Sequence, residues 1–451
     1  MHVNPEIFKA YDVRGEFPNE LNAKAAYLIA RAFAEFLRGN NPARALKIVI
    51  SSDARPSSPE LIKAVTEGLL DEGVQIVDMG LTTTPFHYYG VVKEEADGGI
   101  MVTASHNPFR MNGLKLSRVG GEPVGDGMEV VKNIAERSIF DGKKPHHGVV
   151  QKSLVREYID FLISRVDLSK AKDLKIVLDA GGGMATMLLP SLIKRLPCKV
   201  VLVNHDLVFD ITHESLNPSK EEHLATLKNT VIEENADFGV AFDPDSDRSG
   251  FVTHNSRFFR ADHVGSFFAR EFAKSEPGVP IIYDVRASSI FPETIKATGG
   301  RAILSRVGHR FIKELMRKEN ARFAAESSGH FYFRDFFFCD SDFLPMLYFL
   351  QFLSQTSKTS DEILDEFDKY PLSGELNFKI QKKEGLLENI AGHYKDAKET
   401  QWVDGLSVYY DDWWANIRQS NTEPLVRLNV EARTKELLDA RVAELKALIT
   451  A

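Results

Sequence analysis

Asp243, Asp245 and Asp247 occupy alternate positions in the segment DPDSDR, residues 243–248. Alternate side chains of an extended or turning loop converge on one side, so the three carboxylates would lie together. Like charges at close range are unfavourable unless a cation lies among them, and oxygen-only ligands favour Mg²⁺, which also binds phosphate. An EF-hand calcium loop is excluded because its sixth position would lack glycine and its twelfth glutamate. An exposed acidic turn is the alternative, although the adjacent Arg248 favours a phosphate near the metal.

Ser105 stands in the segment VTASHNP, residues 102–108, directly before His106. A serine beside a histidine suggests a hydrolase nucleophile with its base. Residues adjacent in sequence need not be chemical partners, because nucleophile and base must meet within hydrogen-bond distance in the fold. The sequence therefore leaves open what activates Ser105, and it places Lys115 soon afterwards in the segment NGLK.

The segment AESSGHF, residues 325–331, offers binding groups at alternate positions: Glu326, Ser328 and His330. An acceptor, a hydroxyl and an imidazole suit the recognition of sugar hydroxyls, and Gly329 permits close approach of the backbone. A polar turn before an apolar strand is the alternative.

The segment IRQSNTEPLVR, residues 417–427, combines guanidinium groups, hydroxyls and turn amides, which together can hold a phosphate. Its candidate ligands are Arg418, Ser420, Asn421, Thr422 and Arg427. A simple turn between two strands is the alternative. Near the start of the chain, the segment KAYDVRG offers Tyr11 and Arg14 as a further anion contact.

The sequence around these segments repeats one structural unit three times. Each copy has the pattern strand, helix, strand, helix, strand, with short Val- and Ile-rich strands, and such units build a mainly parallel sheet covered by helices. The segments TASHNP, DPDSDR and ESSGH each follow the final strand of one copy. Ligands of open α/β sheets bind beyond the carboxyl ends of the strands. We therefore expect one composite site built from chemically different loops.

The last part of the chain has another pattern. Alternating segments such as GELNFKIQKK and PLVRLNVEART, followed by the helical segment KELLDARVAELKALIT, predict a smaller α+β domain. The predicted fold is thus three similar α/β domains with mixed or parallel sheets plus a smaller C-terminal α+β domain around a central active-site cleft. The predicted domains are residues 1–148, 149–251, 252–368 and 369–451.

Composition limits the class of protein. A chain of 451 residues agrees with about three or four domains of roughly 100–200 residues each. Its net charge of −8 and the lack of long Lys/Arg runs argue against nucleic-acid binding. Two distant cysteines argue against a disulfide framework or a thiolate metal site, and no signal-peptide pattern or membrane-spanning apolar run occurs. We expect a cytoplasmic protein with no membrane partner, monomeric or at most weakly dimeric.

The motifs KAYDVRG, TASHNP, DPDSDR, ESSGH and RQSNTEP together resemble those of the α-D-phosphohexomutase family, in its phosphomannomutase/phosphoglucomutase branch. They occur in the order and spacing of the family and span essentially the whole chain. The resemblance implies an enzyme that interconverts the 1-phosphates and 6-phosphates of mannose or glucose. It also implies a phosphoserine, a hexose 1,6-bisphosphate as intermediate and activator, and Mg²⁺ as cofactor.

Carried over motif by motif, the resemblance implies a role for each candidate residue. The implied metal ligands are Ser105, Asp243, Asp245 and Asp247. The implied catalytic residues are Ser105, which would carry the phosphoryl group, with Arg14, Lys115, Arg248 and His330. The implied substrate-binding residues are Tyr11, Arg286, His309, Glu326, Ser328, His330, Arg418, Ser420, Asn421, Thr422 and Arg427.

Two positions depart from the family pattern. Ala325 stands where the family usually has glycine, and Arg286 stands where many members have lysine. At position 286 a planar guanidinium with several donors therefore replaces a compact ammonium group. Three alternatives remain: a phosphoglucosamine mutase, a magnesium-dependent sugar phosphatase and a non-catalytic sugar-phosphate-binding protein. RQSNTEP and KAYDVRG favour the mannose/glucose branch over the first. A phosphatase would release inorganic phosphate, and a binding protein would give Ser105 no role.

Overall fold

The computed structural model describes residues 3–41, 43–140, 142–145, 147–209, 217–379, 384–419 and 425–450. The chain divides into two compact units, which are Met1–Phe259 with Gly329–Ser360 and Arg260–Ser328 with Asp361–Ala451. This division is coarser than the four predicted domains. The predicted boundaries near residues 149, 252 and 369 therefore stay predictions.

The first six strands form one sheet. They are β1 (Val13–Glu16), β2 (Leu46–Ser52), β3 (Val74–Leu81), β4 (Gly98–Val102), β5 (Met111–Arg118) and β6 (Val149–Gln151). Its helices are α1 (Ala23–Arg38), α2 (Ser58–Asp71), α3 (Thr84–Lys93) and α4 (Gly127–Arg137). The order across the sheet is β1-β5-β4-β2-β3-β6. Strands β4, β2, β3 and β6 are parallel, whereas β5 runs antiparallel to both β4 and β1.

Local signals fix the ends of these elements. Helix α3 begins where the hydroxyl of Thr83 accepts a hydrogen bond from the Phe86 N–H at 3.1 Å, with Pro85 in the first turn. The central strand β4 is buried along its whole length, as expected for a strand covered on both faces. A side chain at Gly99 in this strand would collide with His87, so only glycine fits there.

The next five strands form a second sheet. They are β7 (Lys175–Asp179), β8 (Lys199–Val203), β9 (Phe238–Phe242), β10 (Ser249–Thr253) and β11 (Phe258–Phe259), and the helices are α5 (Val155–Ile163), α6 (Leu189–Ile193) and α7 (Ala225–Glu233). The order is β11-β10-β9-β7-β8. Strands β8, β7 and β9 are parallel, and β10 returns antiparallel to β9.

The third set of strands follows the same scheme. The strands are β12 (Pro280–Asp284), β13 (Arg301–Ser305), β14 (Phe323–Ala325), β15 (Phe331–Phe333) and β16 (Cys339–Asp340), and the helices are α8 (Ala261–Ser275), α9 (Ile290–Ala297), α10 (His309–Glu319) and α11 (Leu344–Ser354). Strands β13, β12 and β14 are parallel and belong to the second unit. Strands β15 and β16 form an antiparallel pair in the first unit.

The C-terminal part of the second unit contains an antiparallel sheet. Its strands are β17 (Leu376–Lys379), β18 (Glu399–Gln401), β19 (Leu406–Tyr409), β20 (Trp413–Gln419) and β21 (Leu425–Ala432), and the helices are α12 (Ser360–Phe367), α13 (Leu386–His393) and α14 (Lys435–Thr450). The order is β17-β21-β20-β19-β18, and every neighbouring pair is antiparallel.

The predicted fold class is confirmed, because three α/β sheet sets precede an antiparallel α+β domain. The returning strands make the first two sheets mixed, which the fold prediction allowed, but the repeat pattern did not place these strands. TASHNP joins β4 to its antiparallel neighbour β5, and DPDSDR joins β9 to its antiparallel neighbour β10. No helix in the described part of the chain combines the length and the apolar character that a bilayer span requires.

Aromatic side chains pack α11 against the second sheet within the first unit. The ring of Phe349 lies 4.8 Å from that of Phe238, 5.3 Å from that of Phe251 and 5.8 Å from that of Phe259, centroid to centroid. All four side chains are buried. This cluster therefore supports the strands that carry the acidic loop.

We predict that Phe349→Ala lowers the free energy of unfolding by about 3–5 kcal/mol, because it leaves a cavity among these three rings. Urea unfolding followed by tryptophan fluorescence and circular dichroism measures the change. The matched control is Ile232→Ala, whose side chain is 55% exposed, and it should change stability by about 0.5 kcal/mol or less. Equal effects of the two substitutions would contradict the packing described here.

Candidate functional site

Ser105 lies in the turn between β4 and β5 and is buried. Its hydroxyl donates a hydrogen bond to Asp243 Oδ2 at 3.0 Å, whereas His106 Nδ1 lies 3.4 Å from the hydroxyl oxygen. Burial, with the positive charges of Arg248 and Arg14, lowers the pKa of His106 well below its usual value, which makes the imidazole a poor proton acceptor. The geometry therefore links Ser105 to the acidic loop rather than to the adjacent histidine.

The backbone around Ser105 is held in an uncommon conformation. The φ angle of Ser105 is +52°, in the left-handed region that residues other than glycine rarely adopt. The Ser105 N–H donates to Thr103 Oγ1 at 3.0 Å. Arg14, on β1, donates to the side-chain oxygen of Asn107 and, at 3.4 Å, to the Ala104 carbonyl. The turn is thus fixed by contacts on both sides of the serine.

The carboxylates of Asp243, Asp245 and Asp247 come together in the turn between β9 and β10. One oxygen of each lies within 4.8 Å of the others, and all three residues are buried. Lys115 Nζ, on β5, lies 2.7 Å from Asp245 Oδ2 and 2.5 Å from Asp247 Oδ2. Among the residues that the structure describes, Asp245 Oδ1 is buried with no hydrogen-bond partner. An orphaned oxygen within concentrated negative charge fits a divalent cation.

Charges distribute unevenly over the acidic cluster. Burial, together with the charges of Asp247 and Asp245, raises the pKa of Asp243 well above its usual value. Burial also disfavours the charged form of Asp247, but Lys115 and His330 outweigh it and hold the pKa of Asp247 well below its usual range. Asp243, the carboxylate that the serine contacts, therefore has less compensating positive charge than Asp247.

Arg248 and His330 border this cluster. Arg248 Nε donates to His330 Nε2 at 3.3 Å and lies 3.9 Å from both Asp243 Oδ2 and Asp247 Oδ1. His330 Nε2 lies 3.4 Å from Asp247 Oδ1. Both side chains thus border the acidic cluster, and the Arg248 guanidinium has N–H groups that can bind an anion there.

A second cluster lies in the second unit, around Glu326 after β14. Glu326 Oε1 accepts a hydrogen bond from the Gly308 N–H at 2.8 Å and lies 3.7 Å from Arg286 Nη2. Arg286 pairs with Asp284 at 2.6 Å. Burial opposes the charge of Arg286, but Asp284 and Glu326 raise its pKa above the usual value. His309 begins α10 directly after Gly308, so these side chains share one region.

Arginines from β20 and β21 lie beside that region. Arg418 and Arg427 are direct neighbours in the antiparallel register. The carboxylate of Glu375 lies 2.5 Å from Arg418 Nη2, 3.6 Å from Arg427 Nη1 and 4.0 Å from Arg286 Nη1. Within the described ranges, Arg418 Nε is buried without a hydrogen-bond partner. Guanidinium groups that already attract one carboxylate fit a further anion such as phosphate.

The structure thus brings the predicted residues into two clusters, one in each unit. The first contains Ser105, Arg14, Lys115, Asp243, Asp245, Asp247, Arg248 and His330, and Tyr11 lies just before β1. The second contains Arg286, His309, Glu326, Arg418 and Arg427, and Ser328 lies two residues after Glu326. Ser420, Asn421 and Thr422 lie outside the described residues. The role of each residue stays a prediction.

Sequence reasoning missed several residues of these clusters. Asp53 and Arg55 follow β2, and Arg55 donates hydrogen bonds to the turn that carries the serine. Thr84 follows β3, and its hydroxyl donates to Asp245 Oδ2 at 2.7 Å. The signal was available, because all three follow the carboxyl ends of parallel strands. Glu375 lacked such a signal, since it precedes a strand of the antiparallel sheet.

Four family models match the chain in succession. They are the phosphoglucomutase/phosphomannomutase alpha/beta/alpha domain I over residues 5–140, domain II over residues 156–256, domain III over residues 260–370 and the C-terminal domain over residues 375–448. The matches cover the segments that carry both clusters.

Individual proteins give the same result. The chain is 37% identical to a phosphomannomutase from Vibrio cholerae over 98% of each chain. A solved phosphoglucomutase/phosphomannomutase family protein from Burkholderia thailandensis superposes with a TM-score of 0.90 at 29% identity, covering 99% of this chain and 97% of that one. N-acetylphosphoglucosamine mutase from Aspergillus fumigatus, solved with GlcNAc-6P and magnesium, shares the fold at a TM-score of 0.64 and 12% identity, covering 100% of this chain and 95% of that one.

We predict that Asp243→Asn weakens Mg²⁺ binding by at least about 10- to 100-fold. Substituting a residue that only supports a metal ligand already costs this much, and Asp243 would contact the ion directly. Isothermal titration with Mg²⁺, or electron paramagnetic resonance with Mn²⁺, measures it. Folding should not suffer, since the substitution removes one of three repelling charges. Asp439→Asn, at an exposed carboxylate paired with Lys435, is the control. Unchanged affinity in the Asp243 variant would exclude this cluster as the metal site.

Proposed function

The chain belongs to the phosphoglucomutase/phosphomannomutase family of α-D-phosphohexomutases, and from this premise we propose how its residues perform the reaction. It is an enzyme that acts on phosphorylated hexoses as a mutase. We propose that the phosphoryl group moves between C1 and C6 through a phosphoserine at Ser105. The hydrogen bond of 3.0 Å from the Ser105 hydroxyl to Asp243, within the buried acidic cluster, is the observation that carries the proposal.

A phosphoryl group on Ser105 needs compensating positive charge. It would bring about −1.5 to −2 charges next to a carboxylate whose pKa is already raised by burial and by its acidic neighbours. The side chains of Asp243, Asp245 and Asp247, with the phosphorylated serine, would hold Mg²⁺ in this position. When bound, Mg²⁺ would neutralise charge on the transferring phosphoryl group.

The transfer step itself needs a nucleophile, a leaving group and one proton. The free hydroxyl oxygen of the hexose phosphate forms a bond to phosphorus while the bond from phosphorus to Ser105 Oγ breaks. The hydroxyl proton passes to His330 or to Lys115 in its uncharged form, which both lie beside Asp247, and the departing Ser105 oxygen takes up a proton to become the free hydroxyl. The product is a hexose 1,6-bisphosphate, and transfer of its other phosphoryl group back to Ser105 regenerates the enzyme.

Arg14, Arg248 and Lys115 would bind the transferring group through charge-assisted hydrogen bonds. Phosphate monoesters react slowly without a catalyst, so positioning and charge stabilisation must provide most of the rate enhancement. The buried positions of Lys115 and of the acidic cluster support this role, because electrostatic interactions are stronger away from water. Tyr11 would add a contact to the bound anion.

Residues of the second cluster would bind the rest of the substrate. Glu326 and Ser328 would contact sugar hydroxyls that the C1- and C6-phosphorylated forms share, and Arg286 and His309 would lie beside them. The non-transferred phosphate would bind to Arg418, Ser420, Asn421, Thr422 and Arg427. The carboxylate of Glu375 between the arginines supports anion binding there.

Mannose and glucose phosphates are the proposed substrates. The high similarity to a phosphomannomutase over the whole chain supports this choice over an amino-sugar phosphate, whereas the N-acetylphosphoglucosamine mutase shares the fold alone. We further propose a monomer that works in the cytoplasm, where its two free cysteines, Cys198 and Cys339, would stay reduced.

We predict that Ser105→Ala lowers the interconversion of mannose and glucose 1- and 6-phosphates by about 10⁴-fold or more, since it removes the phosphoryl carrier. Coupled assays with Mg²⁺ and a bisphosphate primer measure it, with the exposed Ser164→Ala as control. Mutase activity that persists in Ser105→Ala would refute the proposed phosphoserine mechanism. Inorganic phosphate as the main product would instead indicate a phosphatase, and a preference for glucosamine 6-phosphate would reassign the substrate.

We predict that Arg418→Ala raises the KM for hexose phosphate by about 10- to 100-fold, the effect of losing charge-assisted hydrogen bonds to phosphate. Steady-state kinetics with both substrate isomers should show the change in KM exceeding the change in kcat. Arg433→Ala removes a half-exposed arginine that stacks on Tyr370 and should leave KM unaltered. An unchanged KM in the Arg418 variant would place the phosphate elsewhere.

A further inference from the structure

Arg55 is a fully buried arginine to which the proposed reaction gives no role. It follows β2, at the same edge of the first sheet as the turn that carries Ser105. Its side chain and that of Asp53 are both completely inaccessible to solvent, and their charged groups pair at 3.0 Å. A buried charge is tolerated only where its hydrogen bonds are satisfied. The hydrogen-bond partners of Arg55 therefore indicate which part of the fold it stabilises.

All five N–H donors of the Arg55 guanidinium have partners, and four of them donate to backbone carbonyls between residues 105 and 111. Nε donates to Asp53 Oδ2 at 3.0 Å. Nη1 and Nη2 donate to four carbonyl oxygens, three of them at 3.0 Å, and these belong to Ser105, Asn107, Pro108 and Met111. The side chain therefore holds three carbonyls of the turn between β4 and β5 and the carbonyl of the first residue of β5.

Asp53 holds the same turn from its other side. It accepts hydrogen bonds from the Thr103 hydroxyl at 2.7 Å and from the Ser58 hydroxyl at 2.8 Å. The Thr103 oxygen in turn accepts the Ser105 N–H at 3.0 Å. The peptide groups on both sides of Ser105 are thus tied to one buried ion pair, the N–H through Thr103 and Asp53 and the carbonyl through Arg55.

This double attachment explains how Ser105 keeps its left-handed backbone. A residue other than glycine holds a positive φ only where the surrounding structure enforces it. The same backbone conformation aims the Ser105 hydroxyl at Asp243, 3.0 Å away on the other loop. The ion pair therefore determines the direction of the Ser105 hydroxyl by holding the backbone of Ser105.

We propose that Arg55, supported by Asp53, is a positioning residue for phosphoryl transfer that holds Ser105 in line with the acidic loop. The inference rests on the proposed role of Ser105. Lysine can replace Arg55 only in part, because its three donors on a flexible stem cannot reach all four carbonyls and the carboxylate. Arg55 has no donor left for a substrate, since Asp53 and four backbone carbonyls accept all five.

The test compares Arg55→Met and Arg55→Lys with the wild-type enzyme in the mutase assay. We expect kcat to fall by about 100-fold in Arg55→Met, the cost of a misplaced reacting group, with KM nearly unchanged. Arg55→Lys should lose less. The matched control is Arg38→Met, which breaks another buried ion pair of the same unit, between Arg38 and Glu72 at 2.7 Å. Arg38 contacts no part of the serine turn in the described chain, so kcat should stay near the wild-type value.

Chemical rescue separates positioning from a general loss of structure. Millimolar guanidinium chloride should partly restore kcat in Arg55→Gly, because the free cation can occupy the vacated space and donate to the same carbonyls. It should not restore activity in Ser105→Ala. The extent of Ser105 phosphorylation by a hexose 1,6-bisphosphate, measured by intact-mass spectrometry, should fall with kcat in the Arg55 variants and recover with guanidinium.

The outcomes distinguish this inference from the proposed function. Wild-type kcat and full Ser105 phosphorylation in Arg55→Met would overturn the positioning role while leaving the mutase mechanism intact. Equal losses of kcat in Arg55→Met and Arg38→Met, with no rescue of Arg55→Gly by guanidinium, would show that Arg55 only stabilises the fold. Activity in Ser105→Ala would instead refute the proposed function. A selective loss of kcat that guanidinium reverses would establish Arg55 as the positioning residue.

Discussion

Mutual repulsion among Asp243, Asp245 and Asp247 is the constraint on which the arrangement around the serine depends. Three carboxylates within 4.8 Å of one another resist burial unless neighbouring groups supply positive charge and hydrogen bonds. Lys115 supplies part of that charge to the second and third aspartates. The first aspartate instead accepts a serine hydroxyl. Positive charge is thus distributed unevenly over the three aspartates. This uneven distribution, rather than the number of acidic residues, indicates where a cation and a phosphoryl group would be stabilised together.

The scaffold meets this constraint by reversing the chain after the two loops that carry Ser105 and the three aspartates. The parallel strands β4 and β9 deliver Ser105 and the acidic loop at their carboxyl ends, and each then continues as an antiparallel neighbour. The return of the chain along β5 places Lys115 one strand away from the serine, opposite Met101. A purely parallel arrangement would have sent the chain into a helix after each loop, and lysine and serine would then have come from distant segments.

The sequence was sufficient for the features that depend on local periodicity. The segment KELLDARVAELKALIT predicts a helix over residues 435–450, and α14 spans Lys435–Thr450. The alternation of Asp243, Asp245 and Asp247 likewise predicts their convergence in space, which the structure has. Arg55 could not be recognised in this way, because its carbonyl partners lie 50–56 residues further along the chain. Contacts of that kind depend on how β2 and β4 align as neighbours, which periodicity does not encode.

Glu375 gives the second cluster a property that a set of arginines alone would lack. Its carboxylate lies among Arg418, Arg427 and Arg286. Because this carboxylate is part of the chain, its effective concentration at the arginines is high, and a phosphate must compete with it for them. Such a competitor would lower the affinity for every phosphorylated ligand, and it would pair with the arginines again whenever a phosphate leaves. In the proposed cycle the bisphosphate must release one phosphate from this cluster and present the other. The Glu375 carboxylate would thus weaken the binding of the bisphosphate and speed its reorientation between the two transfer steps. One residue outside the reacting centre would set this balance.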